Sequence, residues 1–198
     1  PMSLTTECSC IAFHGHINIA SGTLLDVAMA AKRAFDSHSA EPLMIFDYQT
    51  SRFVDLDLSG STAAVAERYQ ARPVLAVSAR GPSRPKLRLV GKEVTLLPRH
   101  WEWLEEQPGG ASVALRKLVE QARKANVDTD QTRRARDATH RFMTAMAGDL
   151  AGFEEASRAL FAGDQRRFTF EIEPWPADIR DHLELISTAG FATPILLT

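Results

Sequence analysis

Residues 92–126 hold a strand and two helices in a span too short to enclose a core, and this constrains the chain more than any other feature. A β-prone run covers residues 93–97, and Pro98 after it suits the first turn of a helix. The Pro-Gly-Gly sequence at 108–110 must end that helix, and Ser112 can then cap a second one. Segments below about 40 residues usually need a metal, disulfides or a partner to fold stably. We therefore expect this unit to bury its apolar side against another chain or another domain.

The second helix of this unit carries an apolar stripe, with basic residues off it. Three- and four-residue spacings place the stripe on one face. The residues that we expect at a dimer interface come from the strand, the first helix and the stripe: Val94, Leu96, Trp101, Leu115, Leu118, Val119 and Ala122. Because a second copy offers the same self-complementary surface, we predict a homodimer.

Residues 8–72 predict a small N-terminal ββαββα module. Apolar residues alternate with polar ones over residues 8–20, which indicates a strand or a tight hairpin turning near Gly15. Thr23 precedes a helix over about 24–36. Residues 43–48 and 53–58 flank a short polar turn and predict a second hairpin, after which Ser61 caps a helix.

The rest of the chain divides into a linker and a helical region. Residues 73–91 mix prolines and glycines with basic groups, which predicts a basic linker or arm. Residues 128–130 interrupt the pattern, and helices follow within 130–190, including two at about 152–162 and 177–188. The predicted fold class is α+β, with an N-terminal module, a central strand-helix-helix unit at 92–126 and a C-terminal helical region.

Charge is distributed unevenly beneath a net value of −2. Residues 1–79 carry 5 basic and 8 acidic groups, residues 80–136 carry 13 and 7, and residues 137–198 carry 5 and 10. A basic middle suits phosphate binding, because each Lys or Arg placed on a phosphate releases a counterion. Lopsided charge is equally typical of solvated helices.

The central segment resembles the ribbon-helix-helix family of DNA-binding proteins. The matching sequences are VTLLP at 94–98 and GASVAL at 110–115. The resemblance implies that two chains pair their strands into a ribbon that enters the DNA major groove. It also implies that the amino end of the second helix holds a phosphate through backbone N–H groups. By position, the DNA-binding residues would be Thr95, Lys92 and Arg99 near the ribbon, Ala111, Ser112 and Val113 at the helix end, and Arg84, Lys86 and Arg88 in the arm.

Which side of the ribbon faces outward stays open. The usual alternation directs Lys92, Val94 and Leu96 outward, and aliphatic side chains read bases poorly. The opposite orientation of the strand directs Glu93, Thr95 and Leu97 outward. Glu93 repels phosphate and can at best accept a hydrogen bond from a cytosine amino group.

The chain as a whole resembles a bacterial family of unknown function. Three segments carry this resemblance: VTLLPRHW at 94–101, PGGASVAL at 108–115 and FEEASRALF at 153–161. It implies a bacterial origin and no particular activity.

Two sets of side chains could hold a metal, and each has an ordinary explanation. Cys8, Cys10, His14 and His16 share one strand parity, as expected of a solvated strand face. Asp47, Asp55 and Asp57 could meet across the second hairpin. The alternation of apolar and acidic residues already explains them as the solvent-exposed face of that hairpin. No nucleophile can be paired with a base, so we expect no metal, no cofactor and no enzymatic activity.

The predicted location is the cytoplasm, without a membrane span. No apolar run approaches the roughly 18–20 residues that a span requires, and the first residues lack the pattern of a signal peptide. Two cysteines one residue apart suit a reducing compartment better than a disulfide framework.

Two functions fit these patterns. The first is a homodimer that binds double-stranded DNA, for example as a regulator of transcription. The second is an interaction or assembly module that uses the same dimer core without DNA and binds a protein partner through its acidic C-terminal helices.

Overall fold

The computed structural model describes residues 9–70 and 92–191 of the 198-residue chain. It has the mixed α+β class that the sequence predicts. The strands are β1 (Ser9–His14), β2 (Ile17–Thr23) and β3 (Leu43–Asp47). The helices are α1 (Leu24–Asp36), α2 (Thr62–Tyr69), α3 (Pro98–Glu105), α4 (Gly110–Ala125), α5 (Val127–Ala147), α6 (Phe153–Ala162), α7 (Gln165–Ile172) and α8 (Ala177–Ser187). The described residues form two compact units, one from 9–70 together with 128–191 and one from 92–127.

The sheet has β1 at its centre, with β2 and β3 antiparallel on either side. The tight hairpin predicted near Gly15 is confirmed and joins β1 to β2. Gly15 has a φ of +60°, and its N–H donates to the Pro42 carbonyl at 2.8 Å. A side chain there would be strained, since glycine alone adopts this left-handed backbone without cost.

The two helices of the N-terminal segment begin where their predicted caps stand. The Thr23 hydroxyl accepts the Asp26 N–H at 3.2 Å and donates to the Asp26 carboxylate at 2.7 Å. The Ser61 hydroxyl likewise accepts the Ala64 N–H at 3.2 Å. Such caps satisfy N–H groups that a helix leaves without intrahelical partners. The helix predicted over about 24–36 is therefore confirmed as α1.

The second predicted hairpin forms only in part. Phe46 pairs with Phe53 in an isolated bridge, and the Val54 N–H donates to the Ile45 carbonyl at 2.9 Å. Residues 54–58 nevertheless form no strand, so that part of the prediction is wrong. The reason is a competing set of bonds around Asp57. Its N–H donates to the Tyr69 hydroxyl at 2.7 Å, and its carbonyl accepts from Arg68 at 2.6 Å. Side chains of α2 therefore occupy the backbone N–H and carbonyl that would otherwise form hydrogen bonds between strands.

The sheet is covered on both faces. On one face, Cys10 and Ala12 pack with Val27, Ala31 and other residues of α1 and α2. Cys10 is therefore buried, and the expectation of a solvated strand face at this position is wrong because α1 covers it. On the other face, Ile11 and Phe13 join a core built largely from the C-terminal helices.

Phe142 of α5 is the centre of this larger core. Its ring lies 5.3 Å from that of Phe13 and 5.2 Å from that of Phe46, measured between centroids. All three side chains are fully buried. Residues 9–70 and 128–191 thus fold around one core, although more than 80 residues separate Phe46 from Phe142.

The C-terminal helices match the predicted pattern in part. α6 and α8 lie where helices were predicted at about 152–162 and 177–188. The break expected at 128–130 is wrong, because α5 begins at Val127. Asp128 and Asp130 lie in its first turn, where carboxylates stabilise the positive end of the helix dipole. α7, capped by the Asp164 carboxylate on the Arg167 N–H at 3.0 Å, has no counterpart among the predicted helices.

Over residues 9–70 and 92–191, no helix combines the length and the apolar character that crossing a membrane would need.

Candidate functional site

The two helices of the central unit meet at a glycine turn. α3 begins at Pro98 and ends at Glu105, before the Pro-Gly-Gly sequence, as predicted, and α4 begins at Gly110. The expectation that Ser112 caps α4 is wrong. Gly109 holds the cap position with a φ of +91°, and Ser112 lies inside the first turn. A left-handed glycine lets the helix begin earlier, and the Gly110 N–H donates to the Gln107 carbonyl at 2.9 Å.

α3 and α4 pack against each other but bury little apolar surface. Their buried residues are Leu104 and Ala114. Trp101 and Leu115 are half-buried, and Trp103 is exposed. These two helices therefore share only a small core, with one buried residue from each.

Residues 92–97 form no strand in the single chain, so the predicted strand over 93–97 is absent from this structure. The physical reason is that a strand exists only beside another strand that accepts its hydrogen bonds. Leu97 has extended dihedral angles, with φ −67° and ψ 150°. Val94 is 54% exposed and Leu97 50% exposed.

The predicted interface residues are mostly open to solvent in the single chain. Val119 is 64% exposed and Leu118 42% exposed, and Ala122 and Val94 are exposed as well. Leu96, Trp101 and Leu115 are half-buried. The stripe on α4 is therefore covered near its amino end and uncovered over the following two turns.

The basic side chains of the predicted DNA surface are exposed where they can be located. Lys92, Thr95 and Arg99 lie on the surface, while Arg84, Lys86 and Arg88 fall outside the described residues. Ala111, Ser112 and Val113 occupy the first turn of α4. By helical geometry the N–H groups of Ala111 and Ser112 precede the first i→i−4 bond, and that of Val113 makes it.

Ion pairing reduces the positive charge of α4. Arg123 donates two hydrogen bonds to the Glu120 carboxylate, at 2.9 and 3.2 Å. These bonds lower the pKa of Glu120 and raise the pKa of Arg123. Arg116 donates to the Ser112 carbonyl at 3.1 Å and pairs with no carboxylate of the described chain.

The described central unit is close to neutral. Residues 92–127 carry six basic groups, namely Lys92, Arg99, Arg116, Lys117, Arg123 and Lys124, against five acidic ones, namely Glu93, Glu102, Glu105, Glu106 and Glu120. The positive charge that the sequence places in the middle of the chain thus lies mainly outside this unit, with Arg84, Lys86 and Arg88 among its carriers.

The aspartates that could have gathered around a metal have other partners. The Asp47 carboxylate accepts from the Thr50 N–H at 2.8 Å and the Thr50 hydroxyl at 2.6 Å. Asp57 accepts from Ser59, and those bonds lower its pKa. Across the described ranges, no three His, Cys, Asp or Glu side chains are grouped as a metal site would need, and Cys8 lies outside those ranges.

Sequence reasoning missed two features of the larger unit. His182 is buried among the rings of Phe13, Tyr48 and Phe142, and burial lowers its pKa to about 4. Arg52 and two arginines of α5 line one groove. The helical spacing of Arg134 and Arg141 was visible in the sequence, but their approach to Arg52 depends on long-range packing.

A family model described as "Uncharacterized protein conserved in bacteria (DUF2239)" matches residues 9–187. No curated protein and no solved structure matches the chain. The matched region contains all three segments on which the resemblance to a bacterial family depends, at 94–101, 108–115 and 153–161. The chain therefore belongs to the DUF2239 family of proteins conserved in bacteria.

Proposed function

We propose that the chain is a homodimer of ribbon-helix-helix type that binds double-stranded DNA, with a role in binding rather than catalysis. The observation that carries the proposal is the uncovered apolar stripe of α4 together with residues 92–97, which pair with no strand of the described chain. A second copy supplies both missing surfaces at once, because a twofold axis places the same stripe and the same segment opposite each other.

In this dimer, residues 92–97 of the two chains pair as an antiparallel ribbon. Pro98 ends the ribbon and starts α3, which fixes the register between ribbon and helix. Leu118 and Val119 of each copy then pack across the axis, where the single chain leaves them in solvent. This arrangement satisfies backbone groups and buries apolar surface in the same step.

On the DNA, the ribbon occupies the major groove and phosphates are held at its edges. Lys92 and Arg99 lie beside the ribbon, and the N–H groups of Ala111 and Ser112 at the start of α4 can donate hydrogen bonds to a phosphate oxygen. Since the central unit is near neutral, the basic arm with Arg84, Lys86 and Arg88 supplies much of the affinity.

Fluorescence anisotropy with a mixed-sequence duplex at low salt tests this function. We expect a dissociation constant tighter than about 10⁻⁴ M, the weak limit for ordinary non-specific binders. Replacing Lys86 and Arg88 with alanine should reduce the slope of log affinity against log salt by about two. The matched control replaces Arg158 and Arg166 on α6 and α7, which removes the same charge and should leave the slope unchanged. Binding weaker than the stated limit contradicts the proposal.

A second candidate function keeps the dimer and replaces DNA with a protein partner. The near-neutral charge of residues 92–127 and the exposed Glu93 favour it, because both weaken attraction to phosphate. The partner would bind the acidic C-terminal helices, where residues 137–198 carry 10 acidic and 5 basic groups. A wild-type dimer without DNA affinity, and with a partner whose binding weakens as salt rises, would select this function.

A further inference from the structure

A groove on the larger unit concentrates positive charge. It lies between the turn after β3, the middle of α5 and the end of α8, and has a volume of about 540 Å³. Its basic residues are Arg52, Arg134 and Arg141, and its one acidic residue is Asp137. Cavities of about 300–1,000 Å³ are typical of small-molecule sites.

The three guanidinium groups have no carboxylate partner within the described chain. Arg141 donates to the Thr50 carbonyl, which holds it between α5 and the turn. Arg133, adjacent to Arg134 on the same helix, does pair with Asp130 at 2.8 Å. Three arginines that line one groove without a carboxylate partner favour an anion from outside the chain, because guanidinium groups bind phosphate and carboxylate oxygens through charge-assisted hydrogen bonds.

Local bonds hold the turn that presents Arg52 in one conformation. The Asp47 N–H donates to the Arg52 carbonyl at 2.8 Å, and the Ser51 N–H donates to the Asp47 carbonyl at 2.9 Å. Ser51 is fully buried and has a φ of +51°, a conformation that few non-glycine residues adopt. Arg134 and Arg141 are seven residues apart, which is about two helical turns and places them on one face of α5.

Part of the groove lining is apolar and aromatic. Tyr48 lies half-buried against His182, with the ring centroids 5.4 Å apart, and Leu185 and Ile186 of α8 add to this apolar wall. A ligand that fits the whole lining has an anionic group and a planar or apolar body. Gln49 and Gln131 line the same groove and offer both donors and acceptors.

Net charge and the number of acceptor oxygens favour a phosphate monoester as the anion. Three arginines against one aspartate leave a net charge of +2, and a phosphate monoester carries about −1.5 to −2 at pH 7 with three terminal oxygens. Each oxygen can accept from one guanidinium, whereas a single carboxylate offers two oxygens and one charge.

We propose that this groove binds a small organic phosphate of about mononucleotide size, with its phosphate on Arg52, Arg134 and Arg141 and its planar part near Tyr48. All residues that line the groove belong to the larger unit, so this site and the proposed DNA surface of the central unit share no residue. A small phosphorylated molecule bound here would contact the turn after β3, α5 and α8 at the same time.

Isothermal titration calorimetry of the full chain tests the site with AMP, ribose 5-phosphate, inorganic phosphate and adenosine as probes. We expect AMP to bind more tightly than ribose 5-phosphate or inorganic phosphate, because it also contacts the apolar wall, and adenosine to bind at least tenfold more weakly than AMP. No heat of binding with any phosphate up to about 10 mM, or equal affinity for adenosine and AMP, would overturn the proposal.

Variants assign the binding to the groove. Arg52→Gln with Arg134→Gln should weaken AMP by about a hundredfold, since each charge-assisted hydrogen bond contributes about tenfold. Both side chains are exposed, and neither makes a hydrogen bond or ion pair within the described chain, so the unfolding midpoint without ligand should change little. Arg166→Gln, an exposed arginine on α7, is the matched control and should bind AMP normally. Equal affinity in the double variant and the control contradicts the site.

The phosphates of DNA offer the three arginines the same anionic oxygens as AMP. The duplex anisotropy assay on the Arg52→Gln, Arg134→Gln variant distinguishes the two sources. Unchanged DNA affinity together with lost AMP binding supports a small-molecule site. Lost DNA affinity without any binding of AMP by the wild-type chain assigns the groove to the DNA backbone and overturns the proposal.

Discussion

Replacing Val119 with alanine should weaken the proposed dimer without destabilising the single chain. The substitution removes the equivalent of two methylene groups, worth about 1.6 kcal/mol on full burial. Val119 is 64% exposed in the single chain, so about 1 kcal/mol of that gain is available only on dimerisation. The twofold axis doubles the loss to about 2 kcal/mol, and the dimer dissociation constant should rise about 30-fold.

Sedimentation equilibrium of the wild-type and variant chains measures this change directly. The matched control is Val127→Ala, which deletes the same atoms at a position 53% exposed but outside the stripe of α4. Its dissociation constant should stay within about twofold of wild type, as for other surface substitutions away from contacts. Equal dissociation constants for Val119→Ala and wild type, or the same increase in both variants, would refute the reasoning.

Three further predictions concern the larger unit. Phe142→Ala should lower the free energy of unfolding by about 3–5 kcal/mol in urea titrations, because it empties the centre of the core, whereas Phe170→Ala, at a position 69% exposed, should change it little. Trp175→Phe should cost about 1–2 kcal/mol in the same assay, since the indole N–H no longer meets the Ala151 carbonyl at 2.8 Å and leaves it unsatisfied. Burial holds the pKa of His182 at about 4, below its unfolded value of about 6.5, so the unfolded chain binds more protons between these values. Stability should therefore fall by about 2 kcal/mol from pH 7 to pH 5, and His182→Phe should reduce that fall; an unchanged pH profile in the variant would contradict this assignment.

Local signals in the sequence predicted local structure well. Thr23 and Ser61 are caps because a short hydroxyl side chain can accept an N–H that a helix start leaves free. Gly15 predicted a turn because its backbone adopts a positive φ without strain. These features depend on neighbours within a few residues, so the residues themselves carry the information.

Features that depend on distant contacts could not be predicted in the same way. Asp57 alternates with apolar residues as a strand residue would, yet its backbone bonds to Arg68 and Tyr69 of α2. Ser112 is a good cap by type, but the left-handed Gly109 starts the helix before it. The packing of α5 against β1 and β3 depends on which apolar surfaces meet, and many apolar surfaces in the chain have a similar composition.

The candidate groove illustrates the same limit. Arg134 and Arg141 share a helix face by their spacing alone, which the sequence shows. Arg52 joins them only because the turn after β3 packs beside α5, more than 80 residues further along the chain. Their lack of carboxylate partners is a property of the folded chain and has no signature in composition.

The mass of the chain in solution tests the central claim most directly. Light scattering coupled to size-exclusion chromatography, across a range of loading concentrations, reports whether a second copy covers the stripe of Leu115, Leu118, Val119 and Ala122. We expect a mass near twice the 21.9 kDa of one chain, decreasing toward one chain on dilution. A mass of one chain at every concentration would contradict the account, since the stripe would then have no partner copy.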